Sequence, residues 1–147
     1  MPQKTFLVPT DFSPCAEAAL KQAIELGRGT DTRILLVHAY AMPLVGPYDG
    51  AIVPNGDVIA SIEMAARRGL TDLATRYADC SVPIKTVLKN GDARDVILSM
   101  AKEEDAALIV MGTHGRNGIA RALLGSVAER IVRTSATPVL TVHAADS

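Results

Sequence analysis

The sequence contains no tryptophan, and its aromatic residues amount to only 3%. Proteins that hold single-stranded nucleic acid stack bases on aromatic rings, so this chain has little material for such a platform. Cysteine is scarce too. Cys15 and Cys80 are the only two, with neither CxxC nor metal-ligand spacing. A disulfide framework is therefore not expected, and a reducing, cytoplasmic setting is. No apolar run reaches the roughly 18 residues that a transmembrane helix needs. The stretch Met1 to Phe12 has one lysine, no long apolar run and an early Asp11, so it is not expected to be a signal peptide. Neither sign of charge dominates: Lys plus Arg number 15, Asp plus Glu 16, for a net charge of -1. The expectation is no nucleic acid and no membrane as a partner, although a local basic site stays open.

What is present is apolar. Of 147 residues, 48% are hydrophobic and 21% charged, the balance of a globular domain and not of a disordered chain. The length suits one domain over residues 1–147, able to bury roughly 68–70% of its unfolded surface.

Two hydrophobic periods alternate along the chain. Thr5-Phe6-Leu7-Val8, ending at Pro9, the stretch Arg33 to Ala39, and Ala106 to Met111 are short apolar runs. Such runs suit strands buried on both faces, the habit of parallel sheets. Val82 to Lys89 alternates instead, and its Pro83 and lysines suit an edge. Val139 to Val142, after Thr137-Pro138, reads as a fifth strand. Between them lie helical stripes. Ala16, Ala19, Leu20, Ala23 and Ile24 form the first, with Ser13 as N-cap, Pro14 in the first turn, and Gly27 and Gly29 at the end. Ile59, Ile62, Ala66, Leu70, Leu73 and Tyr77 form the second. Val96, Ile97, Met100 and Ala101 form the third, capped by Asp92. Val127 and Ile131 belong to a fourth, where Ser126 and Glu129 have capping-box spacing.

Strand and helix in strict alternation predict an α/β doubly wound domain, a five-stranded parallel sheet of order 3-2-1-4-5 with helices on both faces. Its topological switch point falls between strands 1 and 4, where ligands of open sheets bind. The segment Ala41 to Asp57, rich in proline and glycine, reads as a surface loop, either a lid or a connector.

The chemistry-bearing residues cluster at that switch point. Gly112, Thr113, His114, Gly115, Arg116, Asn117 and Gly118 leave the most apolar strand, and Gly125-Ser126-Val127 enters a helix. Glycines let backbone N–H groups approach an anion, and a helix N-terminus aims its dipole at the same place. Arg116, Arg121, Arg130 and Arg133 outnumber the one nearby acid, Glu129, which suits phosphates. The alternative is that the glycines only make turns and Ser126 only caps a helix. No GxxxxGK[ST] or GxGxxG occurs, so neither a Walker A loop nor a dinucleotide fingerprint is present. Asp11, at the carboxyl end of strand 1, is an acceptor for a ribose hydroxyl or an adenine amino group, or else a turn-forming residue.

These residues resemble a known family. Gly112-x2-Gly115-x9-Gly125-Ser126 is similar to the G-x2-G-x9-G-[ST] signature of the ATP-binding universal stress proteins. With Gly at about 7% of residues, a chance match is roughly one in two hundred. Val8 to Ser13, Leu36 to Ala39, Asn90-Gly91, Ile109 to Gly115 and Pro138 to Val142 extend the resemblance over nearly the whole chain. It implies an adenine nucleotide alpha hydrolase-like fold. It implies that Pro9, Thr10 and Asp11 contact the nucleoside. Ala39, where the family often has valine, would face adenine through its backbone, and Met111 and Gly112 would lie along base and ribose. Gly115, Arg116, Gly125, Ser126 and Val127 would surround phosphates, with Thr113 and His114 lining the loop. The implied ligand is ATP, with AMP or ADP as alternatives, and Mg²⁺ would ride on the phosphates with few protein ligands.

The resemblance also implies a homodimer through Val139 to Val142, an edge apolar on both faces that a second copy would cover. The expected role is a nucleotide-dependent regulatory module in stress response, a binding function before an enzymatic one. A slow ATPase or phosphotransferase in the same pocket is one alternative, with only His114 and Asp11 as candidate bases. An interaction module that no longer binds nucleotide is the other. Cys15 is expected to be semi-buried and structural, His38 a packed or strand-edge residue, and His143 inert. No residues stand out as catalytic or as metal ligands.

Overall fold

The apolar runs form the centre of a parallel sheet. The computed structural model describes residues 2–41, 56–114 and 124–144. Within them, strands β1 (Lys4–Pro9), β2 (Thr32–Tyr40), β3 (Ile84–Asn90), β4 (Leu108–Gly112) and β5 (Val139–Val142) alternate with four helices. These are α1 (Pro14–Gly27), α2 (Gly56–Arg76), α3 (Ala93–Glu103) and α4 (Ser126–Thr134). The strand order is β3-β2-β1-β4-β5, as the alternation predicts, and every pairing is parallel.

Strand alternation divides the core into two layers. Val8, Ile34, Leu36 and Val110 face α1 and α2, where Ala19, Leu20, Ala23, Ile24, Leu70 and Leu73 meet them. Leu7, Leu35, Val37, Ile109 and Met111 face the other way, against Ile97, Met100 and Ala101 of α3 and Ala128 and Ile131 of α4. Successive strand residues thus serve opposite layers, which is why those runs show no polar alternation. The outer strands do show polar positions: in β3, Lys85, Thr86, Lys89 and Asn90 are exposed.

The helix caps follow the expected chemistry at two of three starts. The Ser13 hydroxyl accepts from the Ala16 N–H at 3.2 Å, and the Asp92 carboxylate accepts from the Arg94 N–H at 2.9 Å. The third differs. Gly125, not Ser126, is the N-cap of α4, and Ser126 is its first residue. Glu129 does not close a capping box, because with Gly125 at the cap it stands one residue past the box position, and it pairs instead with Arg133 at 2.6 Å. Two boundaries also move. β4 begins at Leu108, since Asp105 takes a positive φ of 48° and turns the chain before it. The second helix begins at Gly56, so Gly56 and Asp57 belong to α2 and not to the preceding loop. The rest of that expected loop, residues 42–55, lies outside the described residues.

Candidate functional site

β1 and β4 are neighbours at the point where the strand order reverses. α1 and α4 pack on opposite faces of the sheet, so the carboxyl ends of β1 and β4 are where a ligand crevice is expected. Pro9 ends β1. Thr10 follows, buried, and its N–H donates to Val37 O at 2.8 Å. The turn then uses its own side chains. The Phe12 N–H donates to Thr10 Oγ1 at 3.0 Å, and the Ser13 N–H donates to Asp11 Oδ1 at 2.9 Å. Asp11 is thus a turn-forming residue whose carboxylate stands, half-buried, at the end of β1. On the flank, Ala39 is half-buried in β2, paired with Lys89 of β3.

Across the crevice, Gly112 is forced by close approach. A Cβ on it would lie 2.8 Å from the carbonyl carbon of Cys15 and 2.9 Å from its oxygen. Only glycine lets the first turn of α1 sit this near the end of β4. Met111 and Thr113 on either side are buried. The Thr113 carbonyl accepts from the Gly125 N–H at 2.6 Å, which brings the two ends of the glycine-rich stretch together. Gly125 supplies no side-chain cap, so no side chain of the cap takes up the first-turn N–H groups of α4. Donors of that kind, with the helix dipole behind them, suit an anion. Ser126 is exposed and Val127 half-buried at this end. Gly115 and Arg116 lie outside the described residues.

The carboxyl ends of β4 and β5 hold groups that sequence reasoning did not join. Thr113 Oγ1 lies 3.1 Å from His114 Nδ1, 3.1 Å from His143 Nδ1 and 3.6 Å from Cys15 Sγ. His143, expected to be inert, therefore ties β5 to the end of β4. Its participation depends on the β4–β5 register, for which a lone histidine after a strand carries no signal. His114 Nε2 is buried with no hydrogen-bond partner among the described residues. Cys15 is buried, as expected of a structural thiol, and donates to Val142 O at 3.2 Å. Burial opposes its ionisation. The backbone of His114 and the Thr113 hydroxyl, with the backbone of Ala144 and Thr113, favour the thiolate and outweigh burial, so the thiol titrates below its ordinary value. His38 is half-buried, its Nδ1 2.7 Å from Thr10 O.

Residues 3–143 match the universal stress protein family. The chain belongs to that family. Universal stress protein MJ0531 of Methanocaldococcus jannaschii is 32% identical over 141 residues, 95% of this chain and 81% of the relative. The solved structure of hypothetical protein MJ0577, from the same organism, has a TM-score of 0.84 at 26% identity and covers 100% of both chains. A universal stress protein solved in complex with cAMP is similar at a TM-score of 0.72 and 25% identity, over 97% of this chain and 98% of that one. Within this universal stress protein fold, no described helix is long and apolar enough to cross a membrane. Among the described residues no group of three or more His, Cys, Asp or Glu side chains is placed to hold a metal.

Proposed function

We propose that the switch-point crevice binds an adenine nucleotide, ATP foremost, and that the nucleotide state makes the chain a regulatory module in stress response. The observation that carries this reading is the start of α4. Gly125 is held against Thr113 O at 2.6 Å and leaves the first-turn N–H groups without a side-chain cap. A phosphate chain fits that demand, since it supplies acceptor oxygens and negative charge together. Gly125, Ser126 and Val127 would hold it, joined by Gly115 and Arg116 and lined by Thr113 and His114. Pro9, Thr10 and Asp11 would take the nucleoside, with Ala39, Met111 and Gly112 along base and ribose. Mg²⁺ would enter with the phosphates, since no metal site of its own is formed among the described residues. The relative solved with cAMP supports an adenine ligand for this fold. β5 pairs with β4 on one side only, and its four residues are half-buried, which favours a homodimer through that edge. The compartment on this reading is the cytoplasm.

The test is calorimetry of protein stripped of carried nucleotide, titrated with ATP and Mg²⁺ and separately with AMP, beside Gly125→Asp. The variant places a carboxylate where the phosphates would sit. Wild type should bind with a Kd on the order of micromolar, and Gly125→Asp should weaken ATP by at least about tenfold. A folded, stripped wild type that takes up neither nucleotide ends the reading and leaves an interaction module in front. A second reading, slow hydrolysis, has one observation behind it, the buried His114 Nε2 without a hydrogen-bond partner among the described residues. Steady phosphate release that His114→Ala abolishes without loss of ATP binding would establish it.

A further inference from the structure

Phe12, between Asp11 and Ser13, has a φ of +66°. That left-handed conformation suits glycine or asparagine. A bulky residue keeps it only where its surroundings over-determine it. Here they do. The Phe12 ring lies 4.4 Å from the His38 ring, centroid to centroid, at a tilt of 39°. At the outer edge of the ring Gly69 of α2 presents bare backbone: a Cβ there would approach Phe12 Cζ to 3.0 Å and Cε1 to 3.1 Å. Glycine is disfavoured inside a helix relative to alanine, so a glycine within α2 needs a reason, and the ring supplies one. His38 closes the arrangement at 2.7 Å from Thr10 O. A carbonyl only accepts, so the ring nitrogen donates and holds the other end of the same turn.

We infer that Phe12 is a positioning residue: its ring, wedged between Gly69 and His38, locks the Thr10–Ser13 turn in the conformation that fixes the Asp11 carboxylate at the end of β1. Through that wedge α2, which contributes no residue to the candidate site, is coupled to what binds in the crevice. The ligand arm of this inference rests on the nucleotide reading. The turn itself is measurable without ligand.

The experiment compares wild type, Phe12→Gly, Gly69→Ala and the double variant. Phe12→Gly permits the positive φ and removes the ring. Gly69→Ala keeps the ring and crowds it. Amide exchange by NMR reads the Ser13 N–H that Asp11 Oδ1 accepts, and calorimetry reads ATP. Exchange at Ser13 should quicken by about tenfold in both single variants, with β4 amides unchanged, and the Kd for ATP should rise by about tenfold. The double variant should be no worse than Phe12→Gly, because the added methyl then meets no ring. A ring that merely filled the core would lower Tm and leave the Kd of the folded protein at its wild-type value, which overturns the inference. Unchanged Ser13 exchange overturns it as well, and so do additive losses in the double variant. If wild type takes up no ATP, the nucleotide reading falls, and Ser13 exchange alone decides the wedge.

Discussion

Two turns face each other across the switch point, and they treat their backbone donors in opposite ways. The β1–α1 turn satisfies itself: Thr10, Asp11 and Ser13 accept from the N–H groups of Phe12, Ser13 and Ala16. The entry to α4 places glycine at the cap and makes no side-chain bond there. The first turn therefore has shape of its own before any ligand arrives. The second has a helix dipole and first-turn donors that receive no side-chain bond from the cap residue, an arrangement that suits an anion. A carboxylate on a self-satisfied turn and a bare helix start make complementary halves. On the proposed reading, one takes the neutral end of a nucleotide and the other its phosphates.

The largest effect that would break this arrangement is Gly112→Ala. Its Cβ would strike backbone, not a movable side chain, at Cys15. α1 would have to draw away from β4, and both turns would part. Urea denaturation should show a loss of about 2–3 kcal/mol, the scale of overpacking.

A reciprocal pair sharpens the comparison. Ser13→Ala empties the capped helix and should cost about 1 kcal/mol. Gly125→Asp fills the uncapped one and should raise stability by a few tenths of a kcal/mol without ligand, while opposing phosphate. Opposite changes in cap chemistry thus move stability in opposite directions at the two ends. Equal signs would mean that α4 already has a partner for its first turn.

The smallest expected effect lies away from both turns and measures the background. Tyr77 donates to Glu17 Oε1 at 2.7 Å, joining the end of α2 to α1. Burial, then the hydrogen bond and charge of Glu17, push the phenol up to about 12. The fold favours the neutral form, so this contribution is present below the unfolded value of about 10 and is lost as pH rises from there toward 12. Urea midpoints between those limits should fall in wild type more than in Tyr77→Phe, and nucleotide binding at neutral pH should be the same in both.

Much of this was legible in the residues. Unbroken apolar runs such as Ile34 to Val37 could only be strands covered on both sides, and the Ser13 and Asp92 caps followed from local hydrogen bonding. The start of α4 near Gly125-Ser126 was legible as well, but its cap was not, because Ser126 and Glu129 have capping spacing whether or not the helix uses it. His143 was passed over because its partner, Thr113, is thirty positions away. Gly69 carries no signal in the sequence, because the Phe12 ring that needs its bare backbone is far away along the chain.

Hydrophobic spacing and capping act between near neighbours along the chain, so the residues alone carry the periodicity, the elements, their parallel order and the switch point between β1 and β4. The tertiary structure alone decided which small residues are obligatory and which polar groups share a site. Gly112 against Cys15, Gly69 against Phe12, and Thr113 between two histidines are contacts between segments far apart in the chain, and no local pattern encodes how closely packed backbones will approach.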